Sequence, residues 1–151
     1  MMIYREAQVS DIEQIMIVRL AVKENVLSNP ALVTNEDCEN YLTIRGKGWV
    51  CETGGLIVGF AIVDLTGHNV WALFIDPDFA GQGIGKQLHN MMLDWYFKQT
   101  DHTIWLSTGF NTKAETFYRM QGWAEAGLHG TKETRFEMTA ECWFAKKQYR
   151  N

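Results

Sequence analysis

The sequence has little cysteine, no long apolar run and no excess of positive charge. Its three cysteines, Cys38, Cys51 and Cys142, are odd in number and far apart, which predicts reduced packing thiols and not a disulfide scaffold. The apolar runs are far too short to span a membrane. A formal net charge of −4 without a basic patch argues against nucleic acid as a partner. We therefore expect a cytoplasmic protein without a secretory signal.

The length and the apolar content of the sequence predict one folded domain. It has 151 residues, of which 46% are apolar, so residues 1–151 are predicted to form a single domain with a sizeable core. No internal repeat, low-complexity segment or linker divides the chain. The histidines show no metal-ligand spacing, so no metal is expected, and His89 and His102 are interpreted as helix-surface and turn residues.

Strands and helices alternate only in the second half of the chain, and this order predicts a mixed sheet. Strands are predicted at 2–7, 49–52, 56–65, 69–75, 103–108, 123–128 and 134–139, and helices at 11–25, 35–44, 84–98 and 112–121. Ser10 with Glu13, and Thr34 with Asp37, are the capping pairs expected to begin the first two helices. The apolar tail 142–145 is compatible with a subunit interface or with a strand edge on the core.

The most informative stretch is 69–98. A strand-length apolar run ends at Asp76-Pro77, and the turn Gly81-Gln82-Gly83-Ile84-Gly85 then opens an amphipathic helix. The first N–H groups of a helix lack partners inside it, and glycines let an anion approach the backbone closely. Lys86 adds a positive charge in the first turn. The predicted ligand is a phosphate or pyrophosphate.

The glycine spacing at 81–85 can be compared with three known phosphate-binding patterns. The P-loop pattern fails because Lys86 stands where its second glycine belongs, and the dinucleotide fingerprint fails at the same residue. The pattern G-x-G-x-G, with a proline shortly before it, fits in full. This turn resembles the pyrophosphate-binding turn of the GNAT superfamily of acyl-CoA N-acyltransferases. Ala80 departs from that family's pattern, which has Arg or Gln at this position.

A second stretch, 111–123, resembles the other acyl-CoA element of the same family. The pattern N-x-x-A-x-x-[FL]-Y-x-x-x-G-[FW] is matched at each fixed position: Asn111, Ala114, Phe117, Tyr118, Gly122 and Trp123. Two independent motifs at the right separation are more specific than either alone. The resemblance implies a GNAT-like three-layer α+β (α/β mixed) fold, with a central mixed twisted sheet of six to seven strands flanked by about four helices.

The resemblance also implies roles for individual residues. Tyr118 would contact CoA and act as the general acid that protonates its departing thiolate. Asn111 would bond the cofactor, although it also suits a helix N-cap. The backbone of the central strand would receive the pantetheine arm where that strand splays from 103–108, and an N–H there would polarise the thioester carbonyl. The implied cofactor-binding residues are Leu73, Phe74, Ile75, Gly81, Gln82, Gly83, Ile84, Gly85, Lys86, Asn111 and Tyr118.

Many family members place a glutamate as general base on the central strand, whereas 69–75 has no acidic residue in this sequence. His68 has the most suitable intrinsic pKa, Asp64 and Glu24 are weaker candidates, and a water chain is an alternative. The acceptor site would be walled by 23–33 and 128–134. Trp71, Trp105 and Trp123 are candidate lining residues, of which we expect at least two to be core residues.

The function implied is an N-acetyltransferase that moves an acetyl group from acetyl-CoA to a primary amine of a small molecule or peptide. Direct attack is expected, because no cysteine lies in a nucleophile motif. Two alternatives stay open: a catalytically silent acyl-CoA-binding sensor module, and a nucleotide-binding α/β protein of another class. A homodimer is expected by resemblance, paired through the C-terminal strands, with no membrane or nucleic-acid partner.

Overall fold

A computed structural model describes residues 1–22 and 33–148 of the chain. Their contacts fall into two compact units, Met1–Tyr96 and Phe97–Asn151, which we describe in turn. The described residues contain seven strands and five α-helices, so the predicted α+β class is confirmed. Within these residues no helix is long and apolar enough to cross a membrane. The prediction of a single domain over 1–151 stays a prediction.

The first unit is built on four antiparallel strands in the order β1-β2-β3-β4. Its elements are β1 Met2–Glu6, α1 Ile12–Ala21, α2 Asn35–Asn40, β2 Gly46–Thr53, β3 Leu56–Asp64, β4 Asn69–Ile75 and most of α3 Ile84–Gln99. A 3-10 turn precedes α1, and a π turn, Tyr41–Arg45, follows α2. Short connections join β2 to β3 and β3 to β4, and such connections favour antiparallel neighbours, whereas β1 is followed by α1 and α2 before the chain reaches β2.

Helices cover both faces of this four-stranded sheet. On one face, Ile15 of α1 and Cys38 of α2 share a core cluster with Phe60 of β3. On the other face, Gly59 lies against Ile84 of α3. Successive residues of a strand point to opposite faces, so a strand covered on both sides is apolar throughout. Every residue of β3 after Leu56 is buried.

The pairing of β3 with β4 contains a β-bulge. Ile62 pairs with Ala72 and Val63 with Val70, so Trp71 is left as the extra residue of β4. A bulge breaks the strict alternation of faces and turns the extra side chain to a new direction. Trp71 consequently packs against the same core cluster as Ala72 and Phe74.

The second unit contains three strands and two helices in its described part: β5 Ile104–Gly109, α4 Lys113–Met120, β6 Ala124–His129, β7 Glu133–Met138 and α5 Ala140–Gln148. β7 lies between β5 and β6 and is antiparallel to both. Phe136 of β7, Tyr118 of α4 and Trp143 of α5 are all buried. The edge strand β6 is exposed along its whole length.

Several local predictions were wrong for identifiable reasons. The N-cap position of the first α-helix is Asp11 and not Ser10, and no side chain caps this helix. The Asp11 carboxylate instead accepts from the Gln8 N–H at 2.8 Å across the preceding 3-10 turn. β2 begins at Gly46, three residues before the strand predicted at 49–52. The tail 142–145 lies in a helix, and His89 is fully buried, not on a helix surface. The capping pair of Thr34 and Asp37 is confirmed.

Candidate functional site

The connection from β4 to α3 is a structured turn. The Asp76 N–H donates to the Val58 carbonyl at 2.8 Å, and the Asp76 carboxylate accepts from the Asp78 N–H at 2.9 Å. A 3-10 turn, Pro77–Phe79, follows. These hydrogen bonds fix the direction in which the backbone enters the glycine-rich turn.

Gly81 and Gly83 both adopt left-handed backbone conformations, with φ of 79° and 83°. Glycine reaches this region without the steric cost that a Cβ imposes. The Gly83 carbonyl accepts from the Gln87 N–H at 3.1 Å, which begins α3. Among the described residues nothing lies within 4 Å of the place where a Cβ would project from either glycine. The outer surface of the turn is therefore open beside the first N–H groups of a 16-residue helix.

Gly59 holds this turn close to the end of β4. A Cβ on Gly59 would lie 2.8 Å from Ile75 and 3.1 Å from Ile84, so only glycine allows β4 and α3 to approach this closely. Along β4, Leu73 pairs with Ala61 and Ile75 with Gly59. The fold thus brings the predicted strand residues 73–75 and the turn 81–86 together at one end of the first unit.

His68, the candidate base, lies at the other end of β4. Its backbone is left-handed with φ 58°, and its Nδ1 is 2.9 Å from the Tyr96 hydroxyl. Burial, followed by the nearby Asp64 carboxylate, raises the pKa of Tyr96 to about 12. His68 precedes Leu73 by five residues, about 17 Å at roughly 3.3 Å per strand residue. A proton released beside Leu73 would reach His68 only through intervening waters.

The weaker base candidates have different positions. The Asp64 carboxylate is buried and accepts from Arg45 at 2.9 Å, the Gly67 N–H at 2.9 Å and Asn69 at 3.0 Å. A carboxylate with these partners organises the turn between β3 and β4. Glu24, like most of the predicted acceptor wall 23–33, lies outside the described residues.

Tyr118 lies on α4 in the second unit and is only 5% exposed. Its ring makes edge contacts with Phe117 and Trp123 and a tilted contact with Phe136. Burial raises the pKa of the Tyr118 phenol well above its ordinary value. The phenol therefore stays protonated at neutral pH and remains a hydrogen-bond donor, as a general acid must.

Asn111 occupies the loop before α4, in a left-handed conformation with φ 58°. The alternative that it caps the helix was wrong: Thr112 is the N-cap, and its Oγ1 accepts from the Glu115 N–H. The Asn111 N–H donates to Glu115 Oε1 at 3.2 Å, which fixes the loop backbone. Asparagine tolerates this conformation better than most residues.

The sequence did not lead us to Glu115, which supports the loop that carries Asn111. The signal that could have found it is the capping pattern Thr112-x-x-Glu115. Its buried carboxylate accepts from Thr134 at 2.8 Å, from the Asn111 N–H and from Arg119 at 3.0 Å. The hydrogen bond from Thr134, then the one from Asn111 and the Arg119 charge, hold the pKa of Glu115 below its ordinary value of 4.5. It joins the loop, α4 and β7 within the second unit.

We expect Glu115→Gln to lower the stability of the protein at pH 7. A depressed carboxylate pKa contributes stability that is present above pH 4.5 and is lost as pH falls through the folded-state value. In the wild type the free energy of unfolding should fall below pH 4.5 as Glu115 takes up a proton. In Glu115→Gln this part of the fall should be missing. Chemical denaturation from pH 3 to 8 measures this, with the exposed Arg119 partner Glu125→Gln as the matched control. Equal pH profiles for wild type and Glu115→Gln would contradict the assignment.

The three candidate lining tryptophans lie in different surroundings. Trp123 is buried beside Tyr118, as expected for a core residue. Trp105 is partly exposed, stacked on His129 at 5.4 Å and covered by Arg135 at 4.5 Å from its ring centroid. Trp71 is half-buried and stacks on Tyr41 with ring centroids 4.2 Å apart. Trp71 and Trp105 therefore keep an accessible surface.

Within the described residues no group of three or more histidine, cysteine, aspartate or glutamate side chains could hold a metal ion. The family model for the acetyltransferase (GNAT) family matches residues 16–123. The chain belongs to this family.

Solved structures with this fold cover nearly the whole chain. A PaiA N-acetyltransferase from Thermoplasma acidophilum, in complex with coenzyme A, superposes with a TM-score of 0.79 at 14% identity, over 92% of this chain and 99% of that one. The ribosomal-protein-S18-alanine N-acetyltransferase of Escherichia coli gives 0.72 at 19% identity, over 91% and 92%. These likenesses confirm the predicted fold.

Curated relatives match over a shorter stretch. The peptidyl-lysine N-acetyltransferase YjaB of Salmonella typhimurium is 39% identical over 77 residues, which are 46% of this chain and 44% of that protein. An uncharacterized N-acetyltransferase, MJ1207, of Methanocaldococcus jannaschii is 32% identical over 87 residues, which are 51% of this chain and 38% of that protein. The chain thus matches less than half the length of these curated relatives.

Proposed function

We propose that the protein transfers an acetyl group from acetyl-CoA to a primary amine. The observation that carries this proposal is the turn in which Gly81 and Gly83 are both left-handed and open at the start of α3. Its exposed backbone suits a pyrophosphate, and Lys86 adds a cation in the same turn. Family membership and the coenzyme A bound to a protein of the same fold support the choice of cofactor.

The proposed chemistry is direct attack. The deprotonated amine nitrogen forms a bond to the thioester carbonyl carbon, the carbon–sulfur bond breaks, and the Tyr118 hydroxyl gives a proton to the departing thiolate. A main-chain N–H of 73–75 stabilises the oxyanion that develops on the carbonyl. A cysteine nucleophile is not required. Burial raises the pKa of Cys38 to about 11, so this thiol is a poor source of thiolate at neutral pH.

The proposed acceptor is a primary amine of a small molecule or a peptide. One relative is named for peptidyl-lysine and one structural neighbour for the alanine of a ribosomal protein, and these names support including peptide amines among the candidate acceptors. We propose His68 as the base that receives the amine proton through water. A cytoplasmic location and a homodimer are part of the same proposal.

The proposal is tested by calorimetric titration with acetyl-CoA and CoA, with ATP and NAD as controls. We expect saturable binding of both CoA species and none of the nucleotides. Thiol release with a panel of amines then separates an acetyltransferase from a silent acyl-CoA sensor, which would bind acetyl-CoA without turnover. Binding of ATP or NAD in place of CoA would refute the assignment of the glycine turn.

A further inference from the structure

A positive charge, that of Arg19, lies beside the bulged strand of the first unit and has no carboxylate partner among the described residues. Arg19 is in the last turn of α1, and its guanidinium carbon is 5.3 Å from the centroid of the Trp71 ring and 5.2 Å from that of Phe74. In a regular strand, residues 71 and 74 would point to opposite faces. The bulge at Trp71 lets both rings contact the same cation.

Two of the three guanidinium nitrogens of Arg19 have no hydrogen-bond partner among the described residues. These two nitrogens, Nε and Nη1, are buried. Burial lowers the pKa of Arg19, and the titratable group that opposes this effect is the Cys38 thiol, not a carboxylate. By contrast, Arg5, Arg45, Arg119 and Arg135 each pair with an acidic residue.

Leaving a cation without hydrogen bonds in a dry environment costs free energy, and proteins keep such groups mostly at binding or catalytic sites. Two stacking rings and the negative end of the α1 dipole offset part of this cost. Neither supplies the in-plane oxygen acceptors that a guanidinium bonds. The residue as a whole is partly exposed, whereas its Nε and Nη1 are buried.

We propose that Arg19 binds a carboxylate of the acceptor, so that the acceptor is an amino acid or a related compound with both a primary amine and a carboxylate. This inference rests on the proposed function. Arg19 lies in the last turn of α1, the helix that precedes the sequence-predicted acceptor wall in the chain. It contacts β4, the strand whose residues 73–75 are proposed to hold the thioester.

The test compares free amino acids with the matching amino-acid amides as acceptors, at saturating acetyl-CoA. The amide keeps the amine and the side chain but removes the negative charge. We expect kcat/KM of the wild type to favour the acid over its amide by about 10- to 100-fold, the range for a charge-assisted hydrogen-bonded pair. Arg19→Met should bring this ratio near one, and Arg19→Lys should keep part of it.

Lys47→Gln is the matched control. Lys47 also lies over a tryptophan ring of the first unit, Trp95 at 5.8 Å, but it is paired with Glu6. The control should keep the wild-type ratio of acid to amide. Arg19→Met should also melt no lower than the wild type, because removing an uncompensated charge relieves desolvation. A marked fall in Tm would make Arg19 a structural residue and overturn the proposal.

A binding measurement decides the question apart from turnover. The ¹⁵N–¹H resonance of Arg19 Nε is followed while free amino acids, and then their amides, are added to the acetyl-CoA-saturated protein. We expect a saturable shift with at least one acid and none with its amide. The absence of any shift, or equal shifts with acids and amides, would refute the carboxylate site. Turnover without preference for acids would refute it while leaving the acetyltransferase assignment intact.

Discussion

Tyr118→Phe should lower kcat about 100-fold and leave acetyl-CoA affinity nearly unchanged. A positioned general acid contributes roughly 10²- to 10⁴-fold, and the substitution removes only the hydroxyl oxygen and its proton. The Tyr118 ring packs on Phe117, Trp123 and Phe136, and phenylalanine keeps that packing. The defect should therefore appear in the chemical step and not in the fold or in binding.

Thiol release under saturating acetyl-CoA measures kcat, and calorimetry measures affinity. Tyr4→Phe is the matched control, because Tyr4 lies on β1 outside the proposed machinery and should keep full activity. Since burial raises the pKa of Tyr118, its ionisation should produce no loss of activity in the wild type below pH 10. Unchanged turnover in Tyr118→Phe would show that another group or water protonates the thiolate.

The parts of the site that the sequence revealed are those formed by neighbours along the chain. The turn at 81–85 is set by glycine spacing, and the left-handed conformations of Gly81 and Gly83 agree with it. The helix carrying Tyr118, predicted at 112–121, is observed at Lys113–Met120, and Gly122 follows it in a left-handed conformation with φ 87°. Local chemistry decides such features, so a single sequence is sufficient to predict them.

The features that were missed depend on contacts between distant residues. The contact between the Arg19 guanidinium and the Trp71 ring requires a bulge in the register of β3 against β4. No local sequence pattern indicates that bulge. The burial of His89 depends on which face of α3 meets the sheet. The short apolar run at 142–145 fits a strand or a buried helix equally, and in the structure it is helical with Trp143 fully buried.

Gly83→Ala should weaken acetyl-CoA binding about 10- to 100-fold, the equivalent of losing one or two charge-assisted hydrogen bonds to phosphate. Gly83 has φ 83°, a conformation that costs an alanine about 1–2 kcal/mol. A Cβ there would project into the open space that the pyrophosphate is proposed to occupy. The substitution should thus affect both the stability of the protein and its affinity for the cofactor.

The two effects are separated by Gly55→Ala in the hairpin between β2 and β3. Gly55 has φ 82°, and no described atom lies within 4 Å of the position its Cβ would take, so the backbone strain matches that of Gly83→Ala. Both variants should lose similar stability in chemical denaturation, whereas only Gly83→Ala should lose affinity in calorimetry. If both bound acetyl-CoA as tightly as the wild type, the left-handed glycine turn would not be the pyrophosphate site. If both lost affinity equally, the loss would come from general destabilisation and not from the contact with phosphate.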